Sequence, residues 1–312
     1  DMGMTISKNT LRNWLKKGKT YLDELVCVLK SIALEKDSIV NCDETWCKVR
    51  KYDHYKKCYM WVLVNKAERL VIFFYEDGSR GRDVLTNFLG DAELKALMSD
   101  GYNAYVFIGD ELKTHRYKDT DHQVCLAHVR AKFVKARMEG GDKRADVFLG
   151  NINRLFRFER EYDREMITDG ERTRRRQGLP TMEAMINLRA NLLQELKSEE
   201  EQKSCYMREA LNYLHKFWNE AFTYIKDGRY PISNNLAERA VRPFTTKRKN
   251  SLHFGSDEGA EIAAVYHSII STVKLQGKSA WDYLGKFFTG IFNGCRDFLS
   301  LTPQNIDLAV CQ

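Results

Sequence analysis

Three carboxylates in this chain could carry out metal-dependent chemistry on phosphate. Asp43 lies in Asn-Cys-Asp-Glu-Thr-Trp, Asp100 in Met-Ser-Asp-Gly-Tyr, and Glu238 in Ser-Asn-Asn-Leu-Ala-Glu-Arg-Ala. The first two lie on or at the end of apolar runs typical of strands, and the third opens a helical segment. Such a set can hold two Mg²⁺ or Mn²⁺ ions, which stabilise the attacking and leaving oxygens of an in-line displacement at phosphorus. If the three converge, they predict an enzyme that cuts or joins nucleic acid.

Each carboxylate also has an ordinary structural interpretation. Glu238 comes three residues after Asn235, the spacing of a capping box at the start of a helix. An acidic pair such as Asp43 and Glu44 is often only surface, and Asp100 followed by Gly101 is a common turn signal. No single motif is specific, and the prediction depends on their combination.

Basic residues follow Glu238 directly, and we interpret them as contacts for DNA phosphates because they adjoin a candidate catalytic carboxylate. The predicted DNA-binding residues are Arg239, Arg242, Lys247, Arg248, Lys249 and Asn250. A second cluster, between Arg172 and Arg176, falls in a stretch that looks like a loop, and we interpret it as solvated surface. The net charge of +7 agrees with a polyanionic partner.

The composition is that of a soluble globular protein, with 43% hydrophobic and 30% charged residues. No apolar run approaches the roughly 20 residues of a membrane span, and the N-terminus lacks the features of a signal peptide. Eight cysteines without a CxxC pair favour a reducing compartment. We therefore expect a cytoplasmic protein.

Cys125 and His128 form a CxxH pair. A structural zinc site needs about four ligands, and no second pair stands nearby in the sequence. We expect the thiol to pack as a small hydrophobe, and the imidazole to bond locally or to lie close to the rim of the active site.

Hydrophobic periodicity predicts an α/β protein. The predicted elements of the first half are a helix over 8–35 with a break near Gly18, strands over 38–49, 59–65, 70–75, 94–99 and 123–126, and helices over 83–89 and 127–138. Residues 147–226 are helical in character, with a break around 169–180. Further helices are predicted over 234–242, 258–275 and 282–299, with a loop over 249–256.

This order of elements is typical of a ribonuclease-H-like mixed five-stranded sheet with flanking helices and a helical insertion after the fifth strand. The predicted divisions are an N-terminal helical region (1–36), a first core part (37–146), the insertion (147–229), a second core part with the catalytic helix (230–285) and a C-terminal tail (286–312).

Four segments resemble the transposases of the insertion sequence 66 family. They are the motifs around Asp43 and Asp100, the stretch Cys-Leu-Ala-His-Val-Arg-Ala-Lys-Phe from Cys125, and the long tract from Tyr230 to Ala260. The likeness covers about residues 6–285 and is weakest in the helical insertion. Leu126 and Ser251 stand where the family usually has Trp, and Ser233 where it often has Asp. These departures leave the carboxylates untouched.

The resemblance implies that Asp43, Asp100 and Glu238 are the family's catalytic Asp-Asp-Glu set, which binds two Mg²⁺ ions. It implies a DNA transposase that cleaves and joins double-stranded DNA at element ends and target. A homodimer or higher oligomer on DNA is expected, because two ends must be paired. The family's N-terminal helix-turn-helix and cysteine-rich zinc-binding regions are missing here, so we expect this chain to be the catalytic part of a longer protein.

Two other functions stay open from the residues. One is a ribonuclease-H-like nuclease or Holliday-junction resolvase that cleaves without joining. The other is a non-catalytic nucleic-acid-binding protein with relict carboxylates. The strands predicted over 38–75 argue against a purely helical scaffold.

Overall fold

The computed structural model describes residues 6–198 and 203–307, without the side chains of residues 247–250. The chain divides into two compact units, one of Asp1–Lys95 with Leu236–Gln312 and the other of Ala96–Asn235. Within the described residues, no helix combines the length and the apolar character needed to cross a membrane. The seven cysteines in this part of the chain are free thiols.

The described elements are numbered in chain order. The strands are β1 (Ile39–Lys51), β2 (His54–Asn65), β3 (Leu70–Phe74), β4 (Ala96–Ser99) and β5 (Asp121–Val124). The helices are α1 (Lys8–Ala33), α2 (Arg82–Leu89), α3 (Leu126–Met138), α4 (Ala145–Glu165), α5 (Asp169–Arg176), α6 (Leu179–Lys197), α7 (Cys205–Lys216), α8 (Trp218–Phe222), α9 (Asn235–Asn250), α10 (Asp257–Leu275) and α11 (Ala280–Phe292).

The first unit contains an antiparallel meander, as the sequence predicts. Strand β1 pairs with β2, and β2 pairs with β3. A two-residue turn at Tyr52 and Asp53 joins β1 to β2, so that Lys51 lies opposite His54. The second strand therefore begins five residues before the predicted 59. Residues 54–57 are polar and lack the apolar alternation that marks a half-buried strand.

One face of this meander forms a hydrophobic core with helices of the same unit. Side chains alternate between the two faces of a strand, which places Cys47 and Val49 of β1 on the same face as Met60 and Val62 of β2. The core on that face also includes residues of β3, α9 and α10: Val71, Phe73, Ala237, Val241, Phe244, Ala260 and Ala264. Helix α9 is thereby packed against the sheet through one side.

Helix α1 is continuous through Gly18, so the predicted break there is wrong. Gly18 is buried, and a Cβ atom at this position would overlap the hydroxyl oxygen of Tyr266 in α10. The Cβ would also lie 3.3 Å from Cζ of Phe288 in α11. The glycine permits close packing between helices, a role that sequence periodicity does not distinguish from a helix break.

The second unit contains the parallel pair β4 and β5, followed by helices α3 to α8. Most of the described residues between 145 and 226 are helical, as predicted, but most of the expected break is helix α5. Thr168 caps α5 with its side chain, which accepts a hydrogen bond from the amide of Glu171. Within the expected break, the residues outside helices are Gln177 and Gly178, which connect α5 to α6.

The predicted α/β class is confirmed, with five strands in antiparallel and parallel pairs and flanking helices. The ribonuclease-H-like topology remains a prediction. Helix α9 continues to Asn250 instead of ending at 242, although Pro243 lies inside it.

Two glycines in helices provide a matched test of the packing at Gly18. Gly150 lies in α4 with no heavy atom near the position of an added Cβ. Gly150→Ala should raise the free energy of unfolding by about 0.5–1 kcal/mol, the helix-propensity gain. Gly18→Ala should lower it, because overpacking costs about 1–3 kcal/mol. Urea denaturation of both variants measures the difference, and stabilisation by Gly18→Ala would contradict the close packing.

Candidate active site

Asp43 projects from β1 on the side of the sheet that α9 covers. It lies opposite Val62 of β2, and directly opposite residues of an antiparallel pair share a face. Val62 belongs to the same core cluster as Ala237 of α9. Asp43 is half-buried, and its Oδ1 accepts a hydrogen bond from the amide of Glu44 at 2.8 Å. The backbone thus orients this carboxylate.

Glu238 lies in the first turn of α9, next to the residues that pack on the sheet. Ala237 and Val241 are buried in the core, whereas Glu238 is half-buried beside them. An acidic side chain in the first turn also interacts favourably with the helix dipole. Asp43 and Glu238 therefore belong to one unit and to the same side of its sheet.

Asp100 follows β4 directly and lies in the second unit. Its Oδ1 accepts a hydrogen bond from the amide of Tyr102 at 2.9 Å. Gly101 has a φ of +80°, which favours glycine because it has no Cβ. The half-buried Asp100 therefore sits on a tight turn with a fixed side-chain orientation.

A tyrosine that sequence analysis did not identify holds the backbone of this turn. The hydroxyl of Tyr213 in α7 donates a hydrogen bond to the carbonyl oxygen of Asp100. Burial raises the pKa of the Tyr213 hydroxyl, and the nearby Asp100 and Cys125 raise it further, so it stays a protonated donor. Tyr213 lies outside the apolar stripe of α7 formed by Met207, Leu211 and Leu214. Its place beside this apolar stripe was the only sequence feature that set Tyr213 apart from the packing residues of α7.

Cys125 is fully buried, as expected for a packed thiol. Its Sγ accepts a hydrogen bond from the amide of Asn234 at 3.1 Å. The amide of Leu126 donates to the carbonyl oxygen of Ile232 at 3.2 Å. These two bonds tie the start of α3 to the segment that leads into α9.

The predicted DNA-binding residues divide into described and undescribed side chains. Arg239 and Arg242 are exposed on α9. Neither side chain forms an ion pair with a described residue, so both guanidinium groups can accept a phosphate partner. The side chains of Lys247, Arg248, Lys249 and Asn250 lie outside the described residues.

The arginine cluster 172–176 is helical and not a loop, and of its four arginines only Arg174 is largely solvated, which corrects the interpretations made from the sequence. The cluster belongs to α5, and its guanidinium groups pair with acidic residues of α4 and α5, namely Glu159, Asp163, Glu165 and Glu171. Arg176 is only 2% exposed. Its Nη2 lies 2.7 Å from Oε2 of Glu159, and its guanidinium also donates to the carbonyl oxygens of Tyr224, Asp227 and Tyr230. These charges are satisfied within the protein.

The three candidate catalytic residues supply carboxylate oxygens, which are ligands that Mg²⁺ prefers. All three are half-buried, which leaves part of each side chain accessible. Backbone amides orient two of them, Asp43 and Asp100. By ligand type, each of the three carboxylates is suited to a divalent metal ion that prefers oxygen.

Comparisons with known proteins agree with the resemblance noted from the motifs. The sequence profile of the family described as "Transposase IS66 family" matches residues 1–262. Two similar proteins come from Sinorhizobium fredii (strain NBRC 101917 / NGR234). Uncharacterized protein y4jD is 26% identical over 310 residues, which cover 94% of this chain and 57% of that protein. Uncharacterized protein y4qI is 27% identical over 239 residues, or 76% of this chain and 43% of that protein. The chain spans about half the length of the curated relatives it matches.

Two arginines of α5 test whether the 172–176 cluster is structural. Arg176→Ala should lower the free energy of unfolding by about 3 kcal/mol or more, because it leaves the buried Glu159 carboxylate with Arg172 alone and removes the donor to the carbonyl oxygens of Tyr224, Asp227 and Tyr230. Arg174 is 80% exposed, and Arg174→Ala should change stability by no more than about 0.5 kcal/mol. Chemical denaturation compares the two, and equal effects would contradict a structural role for Arg176.

Proposed function

We propose, because the chain belongs to the IS66 transposase family, that it cleaves DNA at the ends of an insertion sequence and joins them to target DNA. The observation that carries the proposal is the placement of Asp43 and Glu238 on one side of the same sheet. Asp100 would complete the Asp-Asp-Glu set from the end of β4. Fold alone does not imply function, and the proposal therefore depends on these side chains.

Asp43, Asp100 and Glu238 would hold two Mg²⁺ or Mn²⁺ ions. Bound there, the ions would supply charge stabilisation to the attacking and leaving oxygens of an in-line displacement. The protein's own contribution is orientation. The amide of Glu44 holds the Asp43 carboxylate, and the amide of Tyr102 with the Tyr213 hydroxyl holds the turn of Asp100. Preset ligands reduce the reorganisation needed during the reaction.

The basic side of α9 would place DNA beside the carboxylates. Arg239 and Arg242 are exposed within four residues of Glu238 along the helix. Lys247, Arg248, Lys249 and Asn250 would extend the same contact. Such residues bind phosphates and carry little sequence information, so recognition of the element ends would require other residues.

Several features support a ribonuclease-H-like core with the divisions predicted from the sequence. An antiparallel meander comes first, a parallel pair follows, and helices α4 to α8 precede α9. Residues 147–229 would then be an insertion before the catalytic helix. A homodimer or larger assembly on DNA would pair two element ends. The cytoplasm, with access to the nucleoid, is the compartment that suits this activity.

Substitution of each carboxylate tests the proposed chemistry. Asp43→Asn, Asp100→Asn and Glu238→Gln should each reduce Mg²⁺-dependent cleavage and strand transfer by about a thousandfold or more, since a metal contributes several kcal/mol of transition-state stabilisation. Asp83→Asn and Glu261→Gln change exposed carboxyl groups of α2 and α10 and should leave activity unchanged.

The assay should supply a free 3′-hydroxyl element end together with a target plasmid. Full activity in any of the three variants would remove that residue from the site. Nicking without a joined product in the unsubstituted protein would favour the nuclease or resolvase alternative.

The phosphate contacts of α9 are testable through salt dependence. Each cation that neutralises a phosphate contributes about 0.9 to the slope of log affinity against log salt for duplex DNA. The double substitution Arg239→Ala/Arg242→Ala should therefore reduce the slope by about 1.8. Arg174→Ala, which removes an exposed arginine paired with Glu171, should not change it. An unchanged slope in the α9 variant would place the phosphates elsewhere.

A further inference from the structure

The hairpin of β1 and β2 has a face that the proposed chemistry does not use. On the side opposite Cys47 and Val49, three cross-strand pairs follow one another toward the turn. The pairs are Trp46 with Tyr59, Lys48 with Lys57, and Arg50 with Tyr55. We call these six residues the hairpin face. It alternates aromatic rings with cations.

The cations of the hairpin face lack acidic partners. Lys48 lies directly opposite Lys57, and like charges in this arrangement destabilise a sheet. Among the described residues, no carboxylate forms an ion pair with Lys48, Arg50 or Lys57. By contrast, Lys51 on the other face pairs with Asp257. The positive charge of the hairpin face is therefore available to an anion.

The Lys57 ammonium lies close to two aromatic rings of the same face. Its Nζ is 5.9 Å from the ring centroid of Trp46 and 5.6 Å from that of Tyr59. Cation–π contacts of this kind hold the ammonium group over the rings without neutralising its charge. The lysine is thus placed between the aromatic groups with its charge retained.

Large aromatic surfaces are open to solvent on this hairpin. Trp46 is 37% exposed and Tyr55 is 52% exposed. Tyr52 at the turn is fully exposed and has a φ of 31°. A bulky residue with a positive φ is strained, so Tyr52 presents its exposed ring at a cost in backbone energy. The ring of Tyr55 packs edge-on against His253 with 4.5 Å between the ring centroids, and its hydroxyl lies 3.3 Å from Nε2 of that residue, so one edge of the ring is in contact and the rest stays open to solvent.

We propose that the hairpin face binds single-stranded DNA. Lys48, Arg50 and Lys57 would contact phosphates, and Trp46 and Tyr55 would stack on unpaired bases. Aromatic rings separated by cations are suited to this ligand, because every base has a face on which a ring can stack. Bases inside a duplex are already stacked on each other and cannot use these rings. An acidic peptide would match the charge but has no bases for the rings.

This binding site goes beyond the proposed catalysis, since it uses none of the three carboxylates. Its test can therefore run in EDTA, where metal-dependent chemistry is absent. Fluorescence anisotropy would measure binding of a fluorescein-labelled oligodeoxythymidylate and of a blunt duplex of the same length. Tyr55→Ala removes a ring, Lys57→Ala removes a cation, and Lys56→Ala removes an exposed cation from the opposite face of the same strand. Thermal melting checks that each variant is folded.

We expect Tyr55→Ala to weaken binding of the oligodeoxythymidylate about fivefold or more, with less than a twofold change for the duplex, because stacking accounts for the difference. Lys57→Ala should reduce the salt slope for the single strand by about 0.7, and Lys56→Ala should change neither value. If Tyr55→Ala lowers the melting temperature, Tyr55→Phe serves as the control. It retains the ring and should bind the single strand normally.

Three results would overturn the proposal: no loss in Tyr55→Ala, equal losses for single strand and duplex, or equal effects of Lys56→Ala and Lys57→Ala. Loss of strand transfer in Asp43→Asn with unchanged oligodeoxythymidylate binding would separate this site from the catalytic one. Failure of strand transfer in the unsubstituted protein would count against the proposed catalysis alone.

Discussion

The two-residue period of β1 is the constraint on which the candidate functional surfaces depend. Adjacent side chains of a strand point to opposite faces, so Asp43 lies on the side covered by α9 and Glu44 on the other. The Glu44 side chain is only 1% exposed, and its Oε1 lies 2.6 Å from Nη2 of Arg80. A shift of one residue in register would exchange these two carboxylates and expose the core face of the strand. The same alternation separates the hairpin face from the core.

The helices between residues 145 and 226 hold two features of the second unit in place. These are the turn that carries Asp100 and the segment that leads into α9. Tyr213 donates to the carbonyl of Asp100, so α7 holds the turn after β4. The buried Arg176 joins Glu159 to the backbone of residues 224–230. From there the chain continues to Asn234, whose amide donates to Cys125. Removal of one member of such a buried network leaves polar groups without partners, which is costly. The helical segment therefore positions the Asp100 turn and the residues that precede α9.

The sequence predicted the α/β class correctly and supplied the three carboxylates as candidates, because apolar periodicity and short motifs are local signals. It misread features set by distant residues. The packing of Gly18 depends on Tyr266, and the burial of Arg176 depends on Glu159 and on carbonyl groups near residue 230. The role of Tyr213 depends on a turn more than a hundred residues earlier. The polar start of β2 becomes strand only because β1 pairs with it.

The central claim is that Asp43, Asp100 and Glu238 form one two-metal site for DNA cleavage and joining. Anomalous scattering from crystals of the protein with Mn²⁺ and an element-end DNA tests it most directly. We predict two Mn²⁺ peaks about 4 Å apart, with the carboxylates of Asp43, Asp100 and Glu238 as their protein ligands. Peaks without these carboxylates, or the three carboxylates too far apart to share two ions, would contradict it.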